Sequence, residues 1–333
     1  MANLTIHMGM VPTVVAGAAT AAATGAALAA TATGELVGYY IAPSPAGNDT
    51  TGNGSFGSPW RTPSPFLSLP PNPGDTLYCR DGSYTATDLL FVDDLQGTSG
   101  SPITIAAYPG ETPVFTGDAS GGAFQFRQGS AYLVLDGLQY TGFSPTASGI
   151  IWIGDTSTLT GPITIRNCKF TAKSGLTQNE HAIYASNRAT GVTVEDCVFI
   201  GAYPTDDPSG AAVEVYHTPG AIGTTVQRCI FDGWTQAVQV YDADSTATIL
   251  HNTFVNNDWN IDLTYHSTVL VRDNAGDDAD GGVAFNIWDP NDPGLTADHN
   301  FWGQSFDANY LLLAGETGRG AASDGSDAGA LDW

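Results

Sequence analysis

A short segment of alternating apolar and polar residues recurs seven times between residues 132 and 302. The copies are YLVLDGLQY (132–140), ITIRNCKF (163–170), VTVEDCVF (192–199), TTVQRCIF (224–231), ATILHNTF (247–254), TVLVRDNA (268–275) and LTADHNFW (295–302). Most place Asn or Cys two positions before an aromatic. The closing residues Tyr140, Phe170, Phe199, Phe231 and Phe254 step by 30, 29, 32 and 23 residues, a solenoid period with variable loops. A strand of this kind cannot bury its apolar side alone, so stacked copies must supply one continuous core. The chain is therefore expected to be all-β: a parallel β-helix of roughly 8–10 coils, with function on a long flat face or at the ends.

Composition narrows the partners. A net charge of −24 excludes a nucleic-acid backbone as a natural ligand and makes an anionic membrane an unsuitable one. The carboxylates are 28 Asp against 6 Glu, and the cations 8 Arg against Lys169 and Lys173 alone. Asp suits the turns of a solenoid. Scarce Lys with surplus carboxylate also suits concentrated salt, where screening removes self-repulsion, so a halophilic origin is expected. Cys168, Cys197 and Cys229 fall at one position in three successive copies, about 4.8 Å apart if stacked. They read as a column of buried thiols, and Cys79 stands alone in another apolar strand.

Residues 1–38 differ from the rest of the chain: apart from His7 the first charged side chain is Glu35, and Ala, Thr and Gly dominate 16–34. There is neither the basic start nor the leucine-rich stretch of an export signal. Pro12 and the weakly apolar composition argue against a membrane span. The stretch reads as an extended arm that docks into other proteins of an assembly.

From Tyr39 the sequence contains a YY strand followed by GND, an SPW-R-T turn, PGDTLYCRDGSY and GSPITIAAYPGETPVF, and the chain closes on SDAGALDW. These pieces resemble right-handed parallel β-helix proteins of the pectate-lyase-like superfamily, over roughly residues 39–333. The resemblance implies the fold and leaves the activity open, because that superfamily includes lyases, hydrolases, epimerases and viral spikes. The expected organisation is a docking arm (1–38), a cap with the first coils (39–118), regular coils (119–303) and a C-terminal cap (304–333).

A second strand set lies between the recurring segments: GAFQFRQ, GIIWIGD, HAIYAS, AAVEVYH, QAVQVYD, WNIDLTYH and GVAFNIWD. Alternation turns Phe124, Ile151, Ile183, Val213, Val238, Ile261 and Phe285 inward, and the residue after each outward. The outward column is then Gln125, Trp152, Tyr184, Glu214, Gln239, Asp262 and Asn286. Beside it runs Arg127, Gly154, Ser186, Tyr216, Tyr241, Thr264 and Trp288. Each coil is expected to be strand–turn–strand, with a third, less regular strand in the longer coils. Exposed rings beside carboxylates and amides suit either a sugar chain or a neighbouring subunit. Trp152, Tyr184, Tyr216, Gln239, Tyr241, Asn286 and Trp288 are the expected contacts.

Glu214 and Asp262 stand two rungs apart, about 9.6 Å, near the upper end of the spacing used by inverting glycoside hydrolases. His217, Asp242 and His266 lie near the ends of the same strands. Glu214, Asp262, Asp242 and His217 are accordingly the catalytic candidates. A superfamily lyase would be expected to carry a basic residue for proton abstraction. The only cation of these columns is Arg127, three rungs and about 14 Å from Glu214. No cofactor is required. The loop NAGDDADGG offers Asp277, Asp278 and Asp280 as oxygen ligands for Ca²⁺.

The leading functional expectation is a virion surface protein, a fibre, turret or spike, from a virus of a halophilic, archaeal host. Host-surface glycans or neighbouring subunits would meet its flat face, and a homotrimer is compatible with the architecture. The alternative is a secreted polysaccharide lyase or glycoside hydrolase with a Glu214/Asp262 cleft.

Overall fold

The first six recurring segments each fold as two short strands with a corner between them, and the seventh as one strand, Leu295–Asp298, with an isolated bridge at Phe301. The computed structural model describes residues 35–329 except 87–89, 118–121, 144–148, 155–159, 174–180, 187, 204–209, 217–221, 243–244, 265–267, 278–282, 288–294, 308, 313, 315 and 325. At the corners Gly137, Asn167, Asp196, Arg228, His251, Asp273 and His299 all take the left-handed conformation, with φ between 51° and 72°. A single left-handed residue reverses the local direction sharply, and Asn and Asp tolerate it better than most. The corner divides Ile163–Arg166 from Lys169–Thr171, and Val192–Glu195 from Val198–Ile200. Every regular coil thus has three strands. The expectation of strand–turn–strand, with a third strand only in the longer coils, understates this: the corner lies inside the segment, where alternation slips by one and Ile163 and Ile165 are followed by Cys168 and Phe170.

The strands form three parallel sheets. The leading sheet has ten strands, from Tyr39–Ile41 to Leu295–Asp298, and holds the first half of each segment. The middle sheet has eight, from Gly82–Ala86 to Ala275–Gly276. The ribbon sheet, also of eight, runs from Leu90–Asp93 to Val283–Ile287 and holds the intervening set. These sheets make eight complete three-strand coils, within the expected range. Residues 1–34 of the expected arm lie outside the described residues.

Exact registry makes like stack on like. Tyr140, Phe170, Phe199 and Phe231 are paired rung to rung in the middle sheet and are all fully buried. Their ring centroids are 4.9, 5.0 and 4.8 Å apart, with planes within 9° of parallel. Tyr84 and Phe115 extend the column below, and Phe254 extends it above. The next coil has Gly276 at this position, and a Cβ there would come within 2.6 Å of the Trp302 ring, which lies 5.9 Å from Phe254. Glycine leaves room for the indole to end the stack.

Beside the rings runs the corner column. Leu138, Cys168, Cys197 and Cys229 are buried, and the four described cysteines are all free thiols. Above Cys229 the column changes to Asn252, Asn274 and Asn300. Each Asn oxygen accepts a backbone N–H from the coil below (Cys229, Asn252 and Asn274 donating at 2.9–3.1 Å). Their amide groups donate to the carbonyls of Val226, Ile249 and Val271. A buried amide left without partners would cost about 1–3 kcal/mol; this ladder satisfies each one. At the N-terminal end the five-residue helix Ser64–Ser68 inserts Phe66 beneath Tyr39 and closes the core. At the C-terminal end buried Asp273 accepts the Ser323 amide and hydroxyl, tying down the final segment.

Replacing Phe199 by Ala leaves a ring-sized void that flanking rings cannot fill, and is expected to lower unfolding free energy by about 3–5 kcal/mol. Phe91→Ala, on the outer face of the first ribbon strand, should change it by about 0.5 kcal/mol or less. Equal losses in urea titrations of the two variants would contradict the interior column.

Candidate functional site

The outward column of the ribbon sheet is the one that alternation places there. Gln125 pairs with Trp152, Trp152 with Tyr184, Tyr184 with Glu214, Glu214 with Gln239, Gln239 with Asp262 and Asp262 with Asn286. The second column is in register through Ser186, Tyr216, Tyr241 and Thr264. Rings meet along the two columns and across them: Trp152–Tyr184 at 5.9 Å, Tyr184–Tyr216 at 6.1 Å and Tyr216–Tyr241 at 4.8 Å. The Trp152 indole N–H donates to Ser186 Oγ at 2.8 Å. Trp152, Tyr184, Tyr216 and Tyr241 remain partly exposed, so a ligand can reach the face they share.

The two candidate carboxylates have different surroundings. Glu214 is 8% exposed, and its Oε2 lies 2.8 Å from His181 Nε2. His181 Nδ1 accepts the Ala211 backbone N–H at 3.1 Å. That bond assigns the lone pair to Nδ1 and the proton to Nε2, so a neutral imidazole donates to the carboxylate. Asp262 is 2% exposed, and its Oδ2 accepts the side-chain amides of Gln236 at 3.0 Å and Gln239 at 2.7 Å. Gln239 lies between the carboxylates in the register, so they stand two rungs apart.

His181 and Gln236 escape sequence reading because alternation points them inward. At the start of these strands two consecutive residues enter the core: Ala182 with Ile183, Ala212 with Val213, and Ala237 with Val238. The residue before each Ala therefore lies outside simple alternation, and His181 and Gln236 reach the outward carboxylates. Alanine at three equivalent positions was the available signal, since only a small side chain fits there beside its neighbour.

Other expected positions fall elsewhere. Asp242 ends its strand in a left-handed turn with φ 88°, and its carbonyl accepts the Ser245 N–H. Asp277 Oδ2 accepts the Asn256 N–H at 2.9 Å, and the residue lines a cleft shared with Asp232, Asp307 and Tyr310. Among the described residues no group of three or more His, Cys, Asp or Glu is placed to hold a metal ion. His217, Trp288, Asp278 and Asp280 lie outside the described residues, and Asn286 is placed by its backbone register. Arg127 forms an ion pair with Asp93 and stacks 4.0 Å over Phe91, which adds an exposed ring at the first rung.

A family model described as the right handed beta helix region matches residues 138–292. The chain folds as a right-handed parallel β-helix. Among solved structures, pectate lyase Pel9A aligns over 88% of this chain and 96% of its own at 15% identity, with a TM-score of 0.49. A mannuronic acid specific polysaccharide family 6 lyase from human gut microbiota aligns over 80% of this chain and 59% of its own, at 16% identity and a TM-score of 0.52. The ORF18 protein of Geobacillus virus E2 aligns over 80% of this chain and 57% of its own, at 13% identity and a TM-score of 0.35. No curated protein sequence matches the chain. At such identities the likeness is one of fold alone.

Burial raises the Tyr184 phenol above its ordinary value, and the neighbouring Glu214 charge raises it further. Burial also pushes Tyr40 and Tyr310 up to about 12. Unfolded phenols titrate near 10, so above about pH 10 the unfolded chain loses protons first and the native state loses stability as pH rises. Alkaline unfolding is therefore expected to set in above about pH 10. Glu214→Gln should move the Tyr184 titration downward in an NMR or absorbance experiment; an upward or absent shift would show that the carboxylate does not face the phenol.

Proposed function

We propose that this protein is a surface structural protein of the fibre, turret or spike type, whose ribbon sheet binds glycans. The observation that carries the reading is the ring ladder Trp152–Tyr184–Tyr216–Tyr241, aligned by the register beside hydrogen-bonding carboxylates and amides. Sugar faces stack on such rings while the polar groups take hydroxyls. The scarcity of cations supports a binding role over polyuronate cleavage. Among the described residues of the two outward columns Arg127 is the cation, and Asp93 holds it. In the same reading, residues 1–38 dock the β-helix into a virion of a halophilic host, and the acidic surface is kept soluble there by salt.

A second reading is favoured by one observation. Glu214 is nine-tenths buried, two rungs from Asp262 on a face open to sugar, which fits an inverting hydrolase. The two readings separate on a panel of neutral, acidic and amine-bearing polysaccharides. Retention without release of reducing ends is expected, and Trp152→Ala or Tyr241→Ala should each weaken binding about tenfold. Release of oligosaccharide that Glu214→Gln abolishes would establish the hydrolase instead. Retention of no glycan by the full chain would remove both readings. Melting temperature should also rise from dilute buffer to molar potassium chloride; a fall would refute the halophilic setting.

A further inference from the structure

The face around Glu214 is chemically one-sided. Its Oε2 is taken by His181, whereas its Oε1 has no hydrogen-bond partner among the described residues and is not sealed from solvent. A carboxylate oxygen that accepts nothing from the protein and opens to solvent is free to meet a donor on a ligand. His181 accepts the Ala211 N–H at Nδ1 and faces Oε2 with Nε2. Arg127 is tied to Asp93, and among the described residues no ion pair joins an arginine to Glu214. Around the carboxylate stand rings: His181 stacks on Tyr184 at 5.3 Å and Tyr184 on Tyr216 at 6.1 Å. Aromatic π-faces favour positive charge and disfavour negative charge. The whole-chain charge of −24 adds a field that draws cations toward this face.

We propose that the Glu214 site takes the protonated amine of an amino sugar, so that the glycan on the ribbon carries free amino groups. The ammonium donates to Glu214 Oε1, supplies the missing counter-charge and lies against the Tyr184 and Tyr216 rings. The flanking sugars stack on Trp152 and Tyr241. This assignment rests on the glycan-binding reading above and specifies its ligand class. An ammonium on a lysine side chain has the same charge. The ring ladder on both sides of Glu214 favours a sugar chain, because a sugar polymer presents a flat face at each repeat while a peptide does not.

The test is calorimetric titration of the full-length protein with four probes: a β-1,4-linked glucosamine oligomer, the same oligomer after chemical N-acetylation, a galacturonate oligomer of equal length, and oligolysine. Glucosamine oligomer is expected to bind at least about tenfold more tightly than its acetylated form, as loss of a charge-assisted bond requires. Galacturonate should bind more weakly than either. Because acetylation alters only the ligand, this comparison needs no variant. Glu214→Gln, whose amide oxygen can still accept from His181, should abolish the preference for the free amine. Glu316→Gln, which removes the same charge far along the chain, should leave the preference intact. Equal binding of the free and acetylated oligomers overturns the assignment while leaving a neutral-glycan ribbon standing. Tight binding of oligolysine with no binding of glucosamine oligomer also overturns it, in favour of a protein partner. A preference that survives Glu214→Gln shows that the amine is read elsewhere.

Discussion

Rung-to-rung registry of parallel strands is the constraint on which everything else in this molecule depends. Parallel pairing spaces equivalent residues about 4.8 Å apart, close to the distance at which aromatic rings stack. Registry therefore converts a repeated residue into a column with its own chemistry. Phenylalanine gives a ring stack, cysteine a thiol column, and asparagine a hydrogen-bonded ladder. The Cys-to-Asn change above Cys229 keeps the corner intact by different means: thiols fill space, while amides satisfy backbone groups of the adjacent coils. Both meet the same demand, since a sharp corner leaves backbone donors and acceptors that sheets cannot pair.

The same registry builds the outer face. Because the inward residues of the ribbon sheet are fixed by packing, the residues between them have no choice of side. Tyr184, Glu214 and Gln239 become neighbours although 55 residues separate the first from the last. Burial then differentiates chemically similar groups. Asp262 is clamped by two amides, whereas Glu214 rests on one imidazole with an oxygen left over. Two carboxylates of equal standing in the sequence thus have unequal capacity to meet a ligand. The Tyr184 phenol beside Glu214 is raised by burial.

Cations are placed with equal economy. Arg80 binds Glu111, Arg166 binds Asp136, Arg228 binds Glu195 with Asp196, and Arg272 binds Asp298, each joining adjacent coils. Arginine suits this work because its fork meets a carboxylate with two parallel bonds. These pairs lie at the margins of the leading sheet and the N-terminal cap. The ribbon keeps only Arg127, at its first rungs. The outer faces therefore divide into a tied, structural side and a ring-lined acidic side.

Periodicity in the sequence was enough to determine the β-helix, the interior column of Phe170, Phe199 and Phe231, the thiol column and the order of residues along the ribbon. Alternation and repeat spacing are local, and parallel stacking carries them unchanged into space. The corner inside each recurring segment was marked only by a slip in alternation, as from Ile165 to Cys168, because Asn, Asp, Arg, His and Gly can all supply its left-handed residue. Nor was His181. Two consecutive inward residues break the alternation at that strand start, and only the packed core shows that Ala182 and Ile183 both fit. The unequal fates of Glu214 and Asp262 belong to tertiary structure for the same reason: burial and hydrogen-bond partners are set by residues distant in the chain.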